Sequence, residues 1–430
     1  MRIHVPESSD IVMRRGLFIL FCGLVPTLGD SVFVTQSVAQ EGDVLGVHDP
    51  CIIKDGSTFY VFSTHGGILV RKSADLRKWE RDGQVLPGVP AWAKRLVPEA
   101  RDLWAPDVNF FHGKFHLYYS VSTWGMNRSC IGLATNVTLD RSSSRFRWVN
   151  EGLVIASLPG RDSFNAIDPN VFMDEDGTAW LSFGSFFSGI QMVRLDHDSG
   201  KPIVAPFPIA RREGAAIEAP YVIRRGRYYY LFISVDRCCR GVESTYKIMV
   251  GRSPAVEGPY VDFNGRRLLE GGGTLVLAGY GRFRGPGHNA VLREVGRDYL
   301  VHHYYDAEAR GRSKLQIRPL IWANDGWPLA GEPGDRPTDA GNRAESVLGR
   351  WRHSVDFVPE DDIALLPGGA IGDPGTGATW RLAGAMLHLR WPRPDAPGGA
   401  WEEECSLSPD VRWFVGRNQR GGVVRGVRTP

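Results

Sequence analysis

The sequence predicts an all-β protein: a five-bladed β-propeller followed by a small C-terminal β domain. Three observations carry this reading. Gly 51 and Pro 28 in 430 residues, with aromatic residues at 11%, describe many turns between short strands rather than a helical bundle. A proline-flanked start, a Gly turn and an aromatic strand recur five times along the chain. Beyond about residue 330 that recurrence stops and a different alternation begins.

Composition sets the outer bounds. Hydrophobic residues at 43% and charged residues at 23% are ordinary for a soluble globular protein and too apolar for disorder. At roughly 150 residues per domain, the length suggests two or three domains. A formal net charge of +3 gives no electrostatic footprint for nucleic acid or an anionic membrane. No run of about 18 apolar residues is present, so no segment reads as a membrane span.

The chain opens with an address. Arg14 and Arg15 precede an apolar stretch from Gly16 to Val25, and a more polar segment ends in Ser37-Val38-Ala39. That order reads as a secretory signal peptide over residues 1–40, cleaved after Ala39 or Gln40, with Met13 as the more compact start. Export would leave Cys51, Cys130, Cys238, Cys239 and Cys405. Five cysteines, two of them adjacent, form neither a disulfide scaffold nor a metal knuckle, so buried thiols are expected.

The propeller is read over residues 41–330. Its first copy runs from His48-Asp49-Pro50 through Gly56 to Phe59-Tyr60-Val61-Phe62, and its second from Trp104-Ala105-Pro106-Asp107 through Gly113 to Phe115–Tyr119. The third runs from Ile167-Asp168-Pro169 to Trp180–Phe183, and the fourth from Glu218-Ala219-Pro220 to Tyr228–Phe232. The fifth runs from Gly285-Pro286-Gly287-His288 to Tyr299–His303. Prolines 50, 106, 169 and 220 are spaced by 56, 63 and 51 residues. Each interval holds about four strands of five or six residues with turns, which is one blade. A β-sandwich with coincidental turns explains five in-register copies less well.

Gly, Pro, Asp and Arg without periodicity make residues 331–344 a linker. From 345 to 430, Trp351, Val355, Phe357, Ile363, Leu365, Trp380, Leu387, Leu389 and Trp391 stand among turns, the last three in strict alternation. This is a β domain of about 85 residues, its aromatics read as core rather than as sugar contacts.

Innermost strands of a propeller line a central channel, so the five starts should bring Asp49, Asp107, Asp168, Glu218 and His288 to one mouth. An Asp before Pro is ordinarily a turn former. Asp49, Asp168 and Glu218 at one slot of three blades is a stronger signal, because grouped carboxylates repel and lower stability unless function requires them. Grouped carboxylates suit a hard cation or acid–base chemistry at a glycosidic bond. Asp174-Glu175-Asp176-Gly177 lacks the later ligands of a calcium hand, and Gly271-Gly272-Gly273-Thr274 lacks the Lys of a phosphate loop.

The starts Val47-His48-Asp49-Pro50, Trp104-Ala105-Pro106-Asp107-Val108, Asn165-Ala166-Ile167-Asp168-Pro169, Ile217-Glu218-Ala219-Pro220-Tyr221 and Gly285-Pro286-Gly287-His288-Asn289 together resemble glycoside hydrolase family 43. Within it, the chain is similar to the endo-acting α-1,5-L-arabinanases. Tyr118–Ser122, Ile131–Asn136, Phe183–Gly189 and Cys238-Cys239-Arg240-Gly241 support the likeness, which spans roughly residues 44–330. The resemblance implies an inverting hydrolase with Asp49 as general base, Glu218 as general acid, and Asp168 raising the pKa of the acid and orienting it. It also implies a sugar site of Asp49, Trp104, Gly125, Asn165, Ala166, Ile167, Asp168, Ser185, Phe186 and Phe187. His288 would hold a single channel ion, expected as Ca2+, with no organic cofactor. The implied protein is a monomer, secreted or periplasmic, acting on arabinan without nucleic-acid or membrane partners. An exo-acting arabinofuranosidase or β-xylosidase on the same propeller, and a non-catalytic sugar-binding propeller, are the alternatives.

Overall fold

The aromatic strand of each copy is apolar at nearly every position, which means that both of its faces are covered. Strand Tyr228–Val235 shows how. Tyr230 and Phe232 enter a core shared with the following blade, while Tyr229, Leu231, Ile233 and Val235 enter a core shared with the preceding one. Period-two alternation thus sorts one run between two interfaces. In the same way Tyr118 faces one neighbour and Phe115, Leu117, Tyr119 and Val121 the other.

The computed structural model describes residues 40–333 and 344–429; nearly all of the expected signal peptide (residues 1–39) and most of the expected linker (334–343) lie outside the described residues. Five antiparallel sheets follow in chain order. Blade one holds Cys51–Asp55, Thr58–Ser63, Leu69–Ser73 and Lys78–Gln84, with Glu41–Gly42 added parallel to the last. Blade two holds Trp104–Phe111, Lys114–Val121, Ser129–Asn136 and Val149–Ser157. Blade three holds Asn170–Met173, Ala179–Phe183, Ile190–Leu195 and Phe207–Ala210. Blade four holds Ile217–Arg225, Tyr228–Val235, Lys247–Ser253 and Thr274–Leu277, and blade five Phe283–Glu294, Arg297–Asp306, Arg312–Trp322 and Pro328–Ala330.

First strands of successive blades touch in a ring that closes from blade five back to blade one. Five apolar cores fill the interblade spaces, each buried aliphatic or aromatic side chain contributing about 1.5–3 kcal/mol. Backbone bonds seal the ring: Leu315 N–H donates to Val44 C=O at 2.9 Å and Gly46 N–H to Ser313 C=O at 2.7 Å. The fold is a five-bladed β-propeller.

After it, Gly349–Val355, Glu360–Leu365, Thr379–Ala383, Met386–Pro392, Ala400–Leu407, Trp413–Asn418 and Val423–Arg428 form one seven-stranded antiparallel sheet. Its edge strands are joined through bridges Leu365–Ile371 and Ala370–Thr379, so the sheet curls into a nearly closed barrel. Trp351, Leu387, Leu389, Cys405 and Phe414 fill the interior. Phe357, Trp413, Val415 and Val423 pack outward into the core between blades four and five.

Candidate active site

Each blade begins with one residue in the left-handed region: Asp49 (φ 49°), Ala105 (φ 43°), Asp168 (φ 57°), Ala219 (φ 54°) and His288 (φ 50°). None is glycine, and backbone strain of this kind costs roughly 1–3 kcal/mol per residue. Five such residues around one ring explain the recurring start better than turn formation does. They also correct the expectation of one shared slot for Asp49, Asp168 and Glu218. Glu218 lies one residue before the slot, which Ala219 occupies, and a register shift follows between Glu218 and Tyr221. Asp107 lies two residues after its slot and serves elsewhere. Its Oδ2 accepts from Val171 N–H at 2.7 Å, clasping blade two to blade three. Asn170 repeats the clasp, accepting from Val222 N–H at 2.8 Å.

Asp49 sits in a cage of donors. Its Oδ2 accepts from the Thr64 hydroxyl at 2.6 Å, and its Oδ1 lies 2.9 Å from His48 Nδ1 and 3.1 Å from His288 Nδ1. Its own N–H donates to His303 Nδ1 at 3.1 Å, and His303 stacks on His48 with ring centroids 4.0 Å apart. Burial alone would raise the Asp49 carboxyl, but the two imidazoles outweigh burial and hold it well below the usual range. Burial likewise works against charge on His48, yet Asp49 pushes it up to about 10. At neutral pH the pair is an imidazolium beside a carboxylate.

Asp168 meets the opposite environment. Its Oδ2 accepts from Ala219 N–H at 3.1 Å and its N–H donates to Ser120 Oγ at 2.9 Å, with no cation in direct contact. Burial pushes its carboxyl up to about 8; nearby Glu218 and Asp49 add to the rise while His288 opposes it. Glu218 accepts from the Ser185 hydroxyl at 2.8 Å and is also raised, by burial first. Both carboxyls are thus shifted toward their protonated forms, burial being the first cause in each. Repulsion falls chiefly on Asp168, and burial rather than an anionic Asp168 is the larger cause of the rise at Glu218. His288 N–H donates to Ser234 Oγ at 2.8 Å, and Ser234 is the cross-strand partner of Glu218. Asp49 and Glu218 are thereby linked through His288 and Ser234. The structure brings all three carboxylates and His288 together.

The other expected sugar contacts divide into walls and rim. Asn165, Ala166, Ile167 and Ser185 are buried; Asn165 Oδ1 accepts from Ser129 Oγ at 2.6 Å, and Ala166 N–H donates to Ser157 Oγ at 2.9 Å. Phe186 and Phe187 are 49% and 50% exposed, which removes core packing as their role. Their loop is tied beside the acid by Phe186 N–H donating to Ile217 C=O at 2.8 Å. Trp104 is half-buried against Trp124, which is 75% exposed. Gly125 has φ 74°, and a Cβ placed there would meet nothing within 4 Å, so its backbone angle, not crowding, calls for glycine.

Sequence reasoning missed Thr64, His303, Tyr305 and Trp124; His48 was quoted only as part of a motif. Thr64 and His303 reach Asp49, Tyr305 reaches His48 with its hydroxyl 2.8 Å from Nε2, and Trp124 packs on Trp104. All come from other blades or other strands, and no local pattern marks them. The expectation of buried thiols holds at Cys51, Cys130 and Cys405 but fails at Cys238, which is half-buried, and at Cys239, which is exposed, its N–H donating to Tyr305 OH at 2.7 Å and its Sγ 3.7 Å from His48 Nε2. A hydrogen bond from Cys238 and the charge on His48 bring the Cys239 thiol down to about 5.

For an ion, the His48, Asp49 and His303 cluster has ligand atoms within 4.8 Å of one another. Those atoms are already bound to each other, so the cluster braces Asp49. His288 fits a ligand role better. Its Nδ1 is held by the Asp49 carboxylate, the arrangement that orients a metal-binding imidazole, and no protein partner of its Nε2 is found among the described residues. The amide of buried Asn289, the next residue, is unpaired as well.

Comparison with known proteins places this geometry. The chain is 42% identical over 310 residues to the extracellular exo-α-(1→5)-L-arabinofuranosidase ArbA of Cellvibrio japonicus, covering 69% of this chain and 89% of that one. It is 42% identical over 289 residues to the extracellular endo-α-(1→5)-L-arabinanase 1 of Bacillus subtilis, covering 66% and 87%. The crystal structure of endo-1,5-α-L-arabinanase from Thermotoga petrophila, at 23% identity, shares the fold over 91% of this chain and 100% of its own, with a TM-score of 0.78. Residues 45–328 match the model of glycosyl hydrolases family 43, and the chain belongs to that family.

Proposed function

We propose that the protein hydrolyses internal α-1,5-L-arabinofuranosidic bonds of arabinan with inversion at the anomeric carbon. The observation that carries this reading is a contrast of surroundings at one channel mouth: Asp49 is caged by two imidazoles and the Thr64 hydroxyl, while buried Asp168 and half-buried Glu218 have only neutral donors. Asp49, ionised between His48 and His288, takes a proton from a water as that water's oxygen bonds to the anomeric carbon. Glu218 gives its proton to the departing glycosidic oxygen, so the C–O bond breaks toward a neutral alcohol. Asp168 fixes the backbone beside Glu218 through Ala219 N–H, and its own raised carboxyl keeps a second full negative charge away from the acid. Phe186, Phe187, Trp104 and Trp124 offer apolar ring faces to a furanose at the rim.

His288 would hold a channel cation, expected as Ca2+, through Nε2; since calcium prefers six to eight oxygens, water would fill the remaining positions. Such an ion supplies positive charge near the carboxylates. The chain is read as exported, in keeping with the extracellular names of its relatives, and as a monomer.

Glu218→Gln keeps the shape and removes the acid. Turnover should fall by about 10³-fold or more while oligosaccharide binding persists; full activity would remove the assignment. The same fold and a relative of equal identity keep exo action as a second reading. Early products from linear debranched arabinan decide between them: mixed lengths support internal cleavage, and monomer alone from the first time point overturns it.

A further inference from the structure

The C-terminal barrel is apolar at one end of its interior and polar and aromatic at the other. Strand register pairs Trp391 with Trp401 and His353 with Asp361. Alternation sets these residues on the inner face, because Trp391 follows Leu387 and Leu389 by even steps, Trp401 precedes Glu403 and Cys405 by even steps, and His353 follows Trp351 by two. Trp351, Leu387, Leu389 and Cys405 close the packed end. The other end opens as a cavity of about 960 Å³ lined by His353, Asp361, Trp391, Trp401, Glu403 and Asn418 among others.

Stability does not explain this lining. His353 Nε2 lies 2.9 Å from Glu403 Oε2, with side chains only 9% and 4% exposed, and a buried pair of this kind is no more stabilising than apolar packing of equal volume. The Trp391 indole ring stands 5.5 Å from His353, and its N–H is buried without an acceptor. An unpaired buried donor costs stability until something accepts from it. Arg420 packs over Trp401 at 4.4 Å from the ring centroid and fixes its plane.

We propose that this barrel mouth is a second carbohydrate site, taking a short stretch of α-1,5-linked arabino-oligosaccharide apart from the propeller channel. Adjacent Trp391 and Trp401 present flat apolar faces, which suit the C–H faces of sugar rings. Glu403 and Asp361 supply acceptors, and Asn418, whose Oδ1 is taken by the Arg420 and Gly422 N–H groups, offers its Nδ2 as a donor, so the occupant must offer hydroxyls that both donate and accept. Carboxylates and arginines (Arg350, Arg393) both line the rim, which favours a neutral ligand over a charged one. The cavity lies within the size of small-ligand sites, and the mouth of a β-barrel is a recurrent place for one. Naming arabinan as the sugar rests on the function proposed above.

The test uses the full chain with Glu218→Gln to silence hydrolysis, titrated calorimetrically with α-1,5-arabinohexaose. Two equivalents per chain are expected. Trp401→Ala and Trp391→Phe, which keeps an aromatic ring but shortens its flat face, should each weaken one equivalent by about tenfold and leave the other unchanged. A single equivalent in the parent, or two equivalents indifferent to both substitutions, overturns the second site. Equal binding of xylohexaose at the tryptophan-sensitive equivalent overturns the sugar assignment. Loss of the tryptophan-insensitive equivalent alone tells against the channel reading instead.

Discussion

Blades one and three enter the channel with the same dipeptide, Asp-Pro, on the same left-handed backbone, yet their carboxylates stand in opposite states. Asp49 meets two imidazoles and Thr64, and stays ionised. Asp168 meets backbone N–H at Ala219 and the carboxylate of Glu218, and is pushed up to about 8. Sequence position gives each an acid at the mouth. Neighbours contributed by other blades decide whether that acid carries a proton. Acid and base in one repeat protein are thus made from one repeated element with different surroundings.

One substitution in each blade exposes the difference. Asp49→Asn should lower kcat by about 10³-fold or more, since no other carboxylate takes protons from water at that position. It should also lower the melting temperature near pH 7, because an acid with a depressed folded pKa stabilises above its unfolded pKa and loses that stabilisation only in strong acid. Asp168→Asn should cost less, roughly 10- to 100-fold, and move the basic limb of the rate profile to lower pH as the second member of the pair disappears. Its effect on stability has the other sign. A folded pKa of about 8 means that the native state loses stability as pH rises from about 4 toward 8, so Asn removes a penalty. Melting at pH 8 should rise by about 2 °C or more. Parallel shifts in the two variants would dissolve the contrast.

What the sequence showed was the part that is local. Five starts, their Gly turns and the aromatic strands are visible because each blade is a contiguous stretch, and the three carboxylates are visible because Asp-Pro and Glu-Ala-Pro stand at those starts. The slot itself was misread by one residue at Glu218, since left-handed φ at Ala219 is a backbone property with no side-chain mark. His303 and Tyr305 were hidden because they act on blade one from blade five, more than 250 residues away. Trp391 of the C-terminal barrel was read as core from its alternation with Leu387 and Leu389, and Trp401 was not singled out; alternation fixes the face but not which end of the barrel is packed.

An ion at His288 would strengthen blade one's side of the contrast, adding positive charge where Asp49 is already held ionised. Exhaustive chelation should then lower activity by about tenfold and be reversed by adding Ca2+, and His288→Ala should reproduce the loss without chelator sensitivity. Indifference to chelator would leave the two imidazoles as the whole source of the Asp49 depression. It would reduce His288 to a hydrogen-bond donor.

The smallest effect concerns the one reactive group on blade one's side that blade three does not share. Cys239 Sγ lies 3.7 Å from His48 Nε2, and its thiol is brought down to about 5 by Cys238 and His48. Cys239→Ser should change kcat by no more than about threefold, because serine preserves the contact and the proton on His48 is held mainly by Asp49. Alkylation reads the surroundings of the sulfur without relying on turnover. An ordinary thiol reacts about tenfold faster per pH unit below its pKa, whereas a thiol already ionised above pH 5 reacts at a nearly constant rate. Labelling of Cys239 by iodoacetamide should therefore be flat between pH 6 and 8. A tenfold climb per unit across that interval would mean that Cys238 and His48 together do not hold the sulfur ionised. The same climb appearing only in Cys238→Ala would assign the effect to the neighbouring thiol, and a flat rate there would assign it to the charge on His48.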